Sequence, residues 1–159
     1  MSAESSSNNL SIQLELLWWL FTAIATIGFL VPIYRTAPDY PFFLINGIFI
    51  VCFITLSRYL FLLRFTWLGT KQIAKAVWFF LTIPLVFYLV QEINYFQTFL
   101  DENGMEAILG NLPELQLRQL GNYTRSQIIF FGVGAVIAAV VLAFRLLISA
   151  WRYHNTGTI

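Results

Sequence analysis

The chain has 159 residues, of which 58% are hydrophobic and only 11% charged, with a mean hydropathy of +0.73. Soluble domains carry about 25% charged residues, so this chain lacks the polar material to cover a water-exposed surface; its composition is that of a membrane protein. A net charge of +1, with the basic residues spread along the chain, argues against a nucleic-acid binder, and a single cysteine, Cys52, excludes an intrachain disulfide or a Cys-x-x-Cys redox pair.

Residues 1–13 read as a polar tail, rich in Ser and Asn, with Glu4 its only charge. A secretory signal opens with Lys or Arg, so the apolar stretch that follows reads as a retained span rather than a removed leader. Four stretches, at about 14–34, 41–63, 73–95 and 127–150, are each long enough to cross roughly 30 Å of hydrocarbon at 1.5 Å per residue. Lipid offers no hydrogen-bond partners, so each is helical. The fold class expected is therefore an all-α integral membrane protein, with four transmembrane helices in one domain over 14–150 and a short tail over 151–159.

Between the first two spans, Ala37-Pro38-Asp39-Tyr40-Pro41 is a tight turn, with Pro41 suited to a first helical position. Gly69 is placed to end the second span and Thr70 to cap the third. Pro84 lies midway along the third span and predicts a bend there.

The connection over 96–125 is the most individual segment. Asn103 with Glu106, and Asn111 with Glu114, each match an Asn cap followed three residues later by Glu, while Gly110 and Gly121 are placed to terminate helices. The spacing predicts a short amphipathic helical hairpin with Leu109, Leu112 and Leu120 turned from water towards lipid, the bundle or a partner. In span four, Gly134 and Ala138 share a face at four-residue spacing. Such small residues permit close approach by another helix, of this chain or of a partner.

Orientation follows from Lys and Arg. The side shared by the two termini and the second connection holds Arg58, Arg64, Lys71, Lys75, Arg145 and Arg152. The opposite side holds Arg35, Arg118 and Arg125 among six carboxylates. The positive-inside rule places both termini in the cytoplasm, of a plasma or inner membrane. Trp18, Trp19, Trp67, Trp78 and Trp151 fall towards the same half, while Tyr34, Tyr40, Tyr95 and Tyr123 fall at the outer boundary, as two aromatic belts would.

Two groups of residues are candidates for function. Glu15, Arg58 and Arg145 lie at one level near the cytoplasmic ends of their spans. Intramembrane charges are candidates for an anion or lipid site, or they pair with one another while the arginines reach for the headgroups. Glu15 is expected to pair with Arg58 or Arg145. At the other face, Arg35, Asn46, Glu92 and Asn94 form a candidate external vestibule for a cation or proton; an interfacial Arg35–Glu92 ion pair is the simpler alternative.

The only histidine, His154, lies in the terminal tail, so bis-histidine haem, histidine-rich zinc sites and His-based triads are excluded. No catalytic, metal or cofactor motif stands out. The function expected is a non-enzymatic accessory or structural subunit of a larger membrane complex, whose partners are the bilayer and other membrane subunits or further copies of the chain. The alternative is a small oligomeric transporter or channel.

Overall fold

The computed structural model of the protein describes residues 2–63, 66 and 72–156. They form four helices in sequence: α1 (Ser2–Thr36), α2 (Phe43–Leu62), α3 (Gln72–Leu109) and α4 (Glu114–Thr156). Each contains a stretch long and apolar enough to cross a membrane, and the protein is an all-α, four-helix membrane protein.

α1 starts at Ser2, so the polar residues read as a tail prolong the first helix. Once a span has nucleated, each further residue adds one hydrogen bond, and extension is cheap. The helix ends assigned to Gly69 and Thr70 lie outside the described residues, as do Arg64, Trp67 and Lys71. α3 remains helical through Pro84, and the non-helical backbone inside it falls at Gly104 instead.

The apolar stretches of α3 and α4, Ile73–Leu109 with 37 residues and Glu114–Arg152 with 39, are much longer than a bilayer requires. The surplus over about 20 residues is worth roughly 25 Å of rise, which carries the ends that join the two helices beyond the hydrocarbon. This projection replaces the expected loop. Its first arm is the end of α3 after Gly104, whose φ of 77° is open to glycine but strained for other residues. The Asn103 amide donates to the Phe99 carbonyl at 3.1 Å, so it closes the helix before it rather than opening the next. Gly110, at φ 78°, ends this arm as its position suggests.

The second arm is not a separate helix. α4 runs unbroken from Glu114 through Gly121, which is not a terminator. Gly121 is where Met105 packs: a Cβ there would lie 2.8 Å from the Met105 Cγ. Glu114 faces Arg118 at 3.1 Å on the surface instead of completing a cap. Leu109 is buried, and Leu112 and Leu120 are half-buried against the core. The projection therefore covers much of its own apolar face.

The core is a seam in which α4 packs on both α2 and α3. It contains Phe49 and Ile50 of α2, Leu89 and Phe96 of α3, and Ile128, Ala135, Ala139 and Leu142 of α4, all fully buried. Small residues on α4 draw the helices together. A Cβ at Gly132 would come within 3.0 Å of Ile93, and one at Gly134 within 2.7 Å of the Phe53 ring. Ala138 is buried in the same seam. The small-residue face is thus spent within the chain. α1 is peripheral, with Leu16, Leu17, Leu20, Phe21 and Ile24 all exposed.

Candidate functional site

Polar side chains gather at the two ends of the bundle. At one end, where α1 and α3 begin and α2 and α4 finish, antiparallel packing brings Glu15 of α1 against Arg58 of α2. Glu15 Oε2 lies 2.7 Å from Arg58 Nη1, and the arginine side chain is only 7% exposed. Trp18, one turn along α1 from Glu15, sets its ring 5.6 Å from the guanidinium carbon, and Tyr59 lies 5.7 Å from it on the other helix. The charge is thus held by one carboxylate and two aromatic faces. Glu15 Oε1 and Arg58 Nε are buried without hydrogen-bond partners.

Arg145 does not join them. It is exposed and donates from Nη1 to the Leu60 carbonyl, near the end of α2, where the last helical carbonyls lack intrahelical donors. The three charges are a pair and a separate cap, because α1 leans on α2 and not on the Arg145 face of α4. Lys75 occupies an unexpected place: counted from sequence only among the basic residues of this side, it is 1% exposed. Its ammonium donates to the Ser149 hydroxyl of α4 at 3.1 Å.

The opposite end holds a neutral cluster. Pro32 has no N–H, and its ring crowds the carbonyls of the turn before it. In that turn the Phe29 carbonyl accepts from the Tyr123 hydroxyl at 2.9 Å and from Gln127 Nε2 at 3.1 Å. Gln127 Oε1 in turn accepts from Asn46 Nδ2 at 2.7 Å. One glutamine therefore ties α1, α2 and α4 together. Asn46 Oδ1, Thr124 Oγ1 and the Tyr40 hydroxyl remain buried without partners. Burial pushes the Tyr40 phenol well above its ordinary range; Asn46, beside it but outside hydrogen-bonding geometry, acts in the opposite sense.

The candidate vestibule is not assembled. Asn46 is fully buried on Gln127, whereas Arg35 and Asn94 are exposed and Glu92 is half-buried. Among the described residues, no ion pair joins Arg35 to Glu92. Helical phase explains the dispersal: Leu89, Ile93 and Phe96 are the residues that α3 buries, so positions 92 and 94 turn aside.

Sequence reasoning missed Gln127 as the partner of Asn46, missed Tyr123 as a donor to the Phe29 carbonyl and Tyr40 and Thr124 as buried polar groups, and missed Lys75 as a buried cation. The available signal for Lys75 was its spacing: Lys75, Thr82, Leu89 and Phe96 recur every seven residues and are all buried.

No family model matches the chain, and comparison with curated proteins and with solved structures likewise returns no match.

Proposed function

We propose that this chain is a non-enzymatic, multi-pass accessory or structural subunit of a larger membrane complex. The observation that carries this reading is the separation of its polar groups. The ionic cluster and the neutral cluster lie at opposite ends; between them the seam is filled by Phe49, Ile50, Leu89, Ala135 and Ala139, and the buried hydroxyls of Thr22 and Thr82 are spent on carbonyls of their own helices. That packing supports a scaffold better than a hydrated path through a single copy. The exposed side of α1 adds a second argument: a cleft of about 300 Å³ between Leu14, Leu17, Trp18 and Phe21 is open to a neighbouring helix.

Both termini are proposed to face the cytoplasm of a plasma or inner membrane, on the strength of the Lys and Arg asymmetry. Reporters fused after Ile159 should read as cytoplasmic, and one inserted at Asn103 as external; an external C-terminus would overturn the arrangement. Extraction in mild detergent should yield the chain with a stoichiometric partner. The rival reading, an oligomeric transporter with its path between copies, draws on the cost of burying Lys75 and Arg58 in a mere scaffold. A homo-oligomer that passes ions or small solutes in vesicles would decide for the rival.

A further inference from the structure

Lys75 stands out among the polar groups because, among the described residues, no carboxylate is paired with it. Its ammonium has three N–H groups, and the hydroxyl of Ser149 takes one of them. A desolvated cation on a single neutral acceptor is costly without an opposing charge. No Asp or Glu occurs between Asp39 and Glu92, or anywhere after Glu114, so α2, the beginning of α3, the end of α4 and the segment joining α2 to α3 are all without carboxylates. Glu15, on α1, is engaged by Arg58. Among the described residues no carboxylate is left to balance this lysine, and an anion from outside the chain fits the unmet charge.

A lipid-facing groove approaches the same point. It holds about 300 Å³ and runs between α3 and α4, walled by Phe79, Ile83 and Phe87 on one side and by Val140, Phe144 and Leu147 on the other. Its polar member is Thr82, whose hydroxyl is spent on the Trp78 carbonyl at 2.7 Å. Phe79 is one helical turn past Lys75, and Leu147 is two residues before Ser149, so one end of the groove falls next to the lysine. The lysine's four-carbon stem lets the ammonium turn towards a headgroup at that mouth.

We propose that Lys75 and Ser149 form the head-binding end of an anionic phospholipid site, with one acyl chain lying in the groove between α3 and α4. The phosphate would accept from the Lys75 ammonium and the Ser149 hydroxyl, and the chain would cover Phe79, Ile83, Phe144 and Leu147. This holds whether the protein is a scaffold or a transporter.

Native mass spectrometry of the detergent-solubilised full chain tests the site, with palmitoyl-oleoyl phosphatidylglycerol or the matching phosphatidylcholine added. The wild type should retain phosphatidylglycerol about fivefold more tightly or better, as one basic residue at an anionic membrane surface implies. Lys75→Gln should bring the two lipids to parity, Lys75→Arg should keep the preference, and Arg145→Gln should leave it unchanged. Ala143→Phe, which fills the groove, should weaken retention of phosphatidylglycerol with Lys75 intact, and it carries the test if Lys75→Gln fails to fold. Equal retention of the two lipids by the wild type would overturn the proposal, as would an undiminished preference in folded Lys75→Gln or undiminished retention in Ala143→Phe. Displacement of phosphatidylglycerol by millimolar inorganic phosphate would also overturn it, by marking a site for a soluble anion.

Discussion

The two ends of this bundle solve the problem of a buried polar group in opposite ways. At the basic end, a single carboxylate and two aromatic rings hold the Arg58 guanidinium, and the contact joins two helices. At the other end there is no charge in the cluster, yet one glutamine joins three helices through the Phe29 carbonyl, the Tyr123 hydroxyl and the Asn46 amide. Charge gives strength to one contact, whereas the amide's paired donor and acceptor give it reach. The ionic end should therefore respond steeply to loss of a partner, and the neutral end should lose stability in smaller, coupled steps.

The largest effect expected is at Glu15. Glu15→Gln leaves the 93%-buried guanidinium without its counter-charge, the arginine side chain being 7% exposed. The cost should be about 1–3 kcal/mol, below the roughly 3–5 kcal/mol of a broken buried pair because the arginine can stretch towards the headgroups. Thermal unfolding in detergent measures it; equal stability of variant and wild type would show that the pair contributes nothing. Replacing both residues, as Glu15→Leu with Arg58→Met, should recover most of the loss, since apolar pairs of similar volume substitute well for buried ion pairs.

At the neutral end, Asn46→Ala should cost about 0.6–1.7 kcal/mol, the span measured for interhelical hydrogen bonds in membranes. Gln127→Ala should cost more than Asn46→Ala, because it removes the bonds to both α1 and α2. The double variant should lose less than the sum of the two. Strict additivity would mean that the amides act independently and that no cluster exists.

The contrast also governs what could be read from the sequence. Charges inside apolar spans are rare, and counting 1.5 Å per residue from the span ends placed Glu15, Arg58 and Arg145 at one level. Choosing between the two arginines required knowing which helix lies beside α1. The amide cluster was hidden for a different reason. Gln127 reads as the boundary of a span, and only its orientation towards α1 and α2 makes it a hub. Lys75 was counted only as one of the basic residues that set orientation, because charge counting does not say which face of α3 a residue occupies. The four spans followed from hydropathy alone, whereas the hairpin over 96–125 was misdivided because Gly121 serves close packing against Met105 rather than termination. Glycine permits both, and local sequence does not say which.

The smallest effect at neutral pH, and the most specific in its pH dependence, belongs to Tyr40. Its ring is buried and lies 6.2 Å from that of Phe42, but its hydroxyl has no hydrogen-bond partner. Tyr40→Phe keeps the ring and removes the unpaired group, so near pH 7 the variant should be the more stable by about 1 kcal/mol, the low end of what an unsatisfied buried group costs. Alkaline solution should separate the two proteins. Burial raises the phenol's folded pKa, so the folded protein holds that proton after the unfolded chain has begun to lose it. The wild type's stability contribution from this group is therefore complete below the ordinary phenol value of about 10 and is lost progressively as pH rises past it. Tyr40→Phe has no such loss. The difference between their unfolding temperatures should be constant up to about pH 8 and widen in favour of the variant above about pH 10. Ionisations common to both proteins cancel in the difference. Identical curves across the whole range would mean that the Tyr40 hydroxyl is solvated in the folded protein, and the neutral end would then be an open, hydrated cleft rather than a closed cluster.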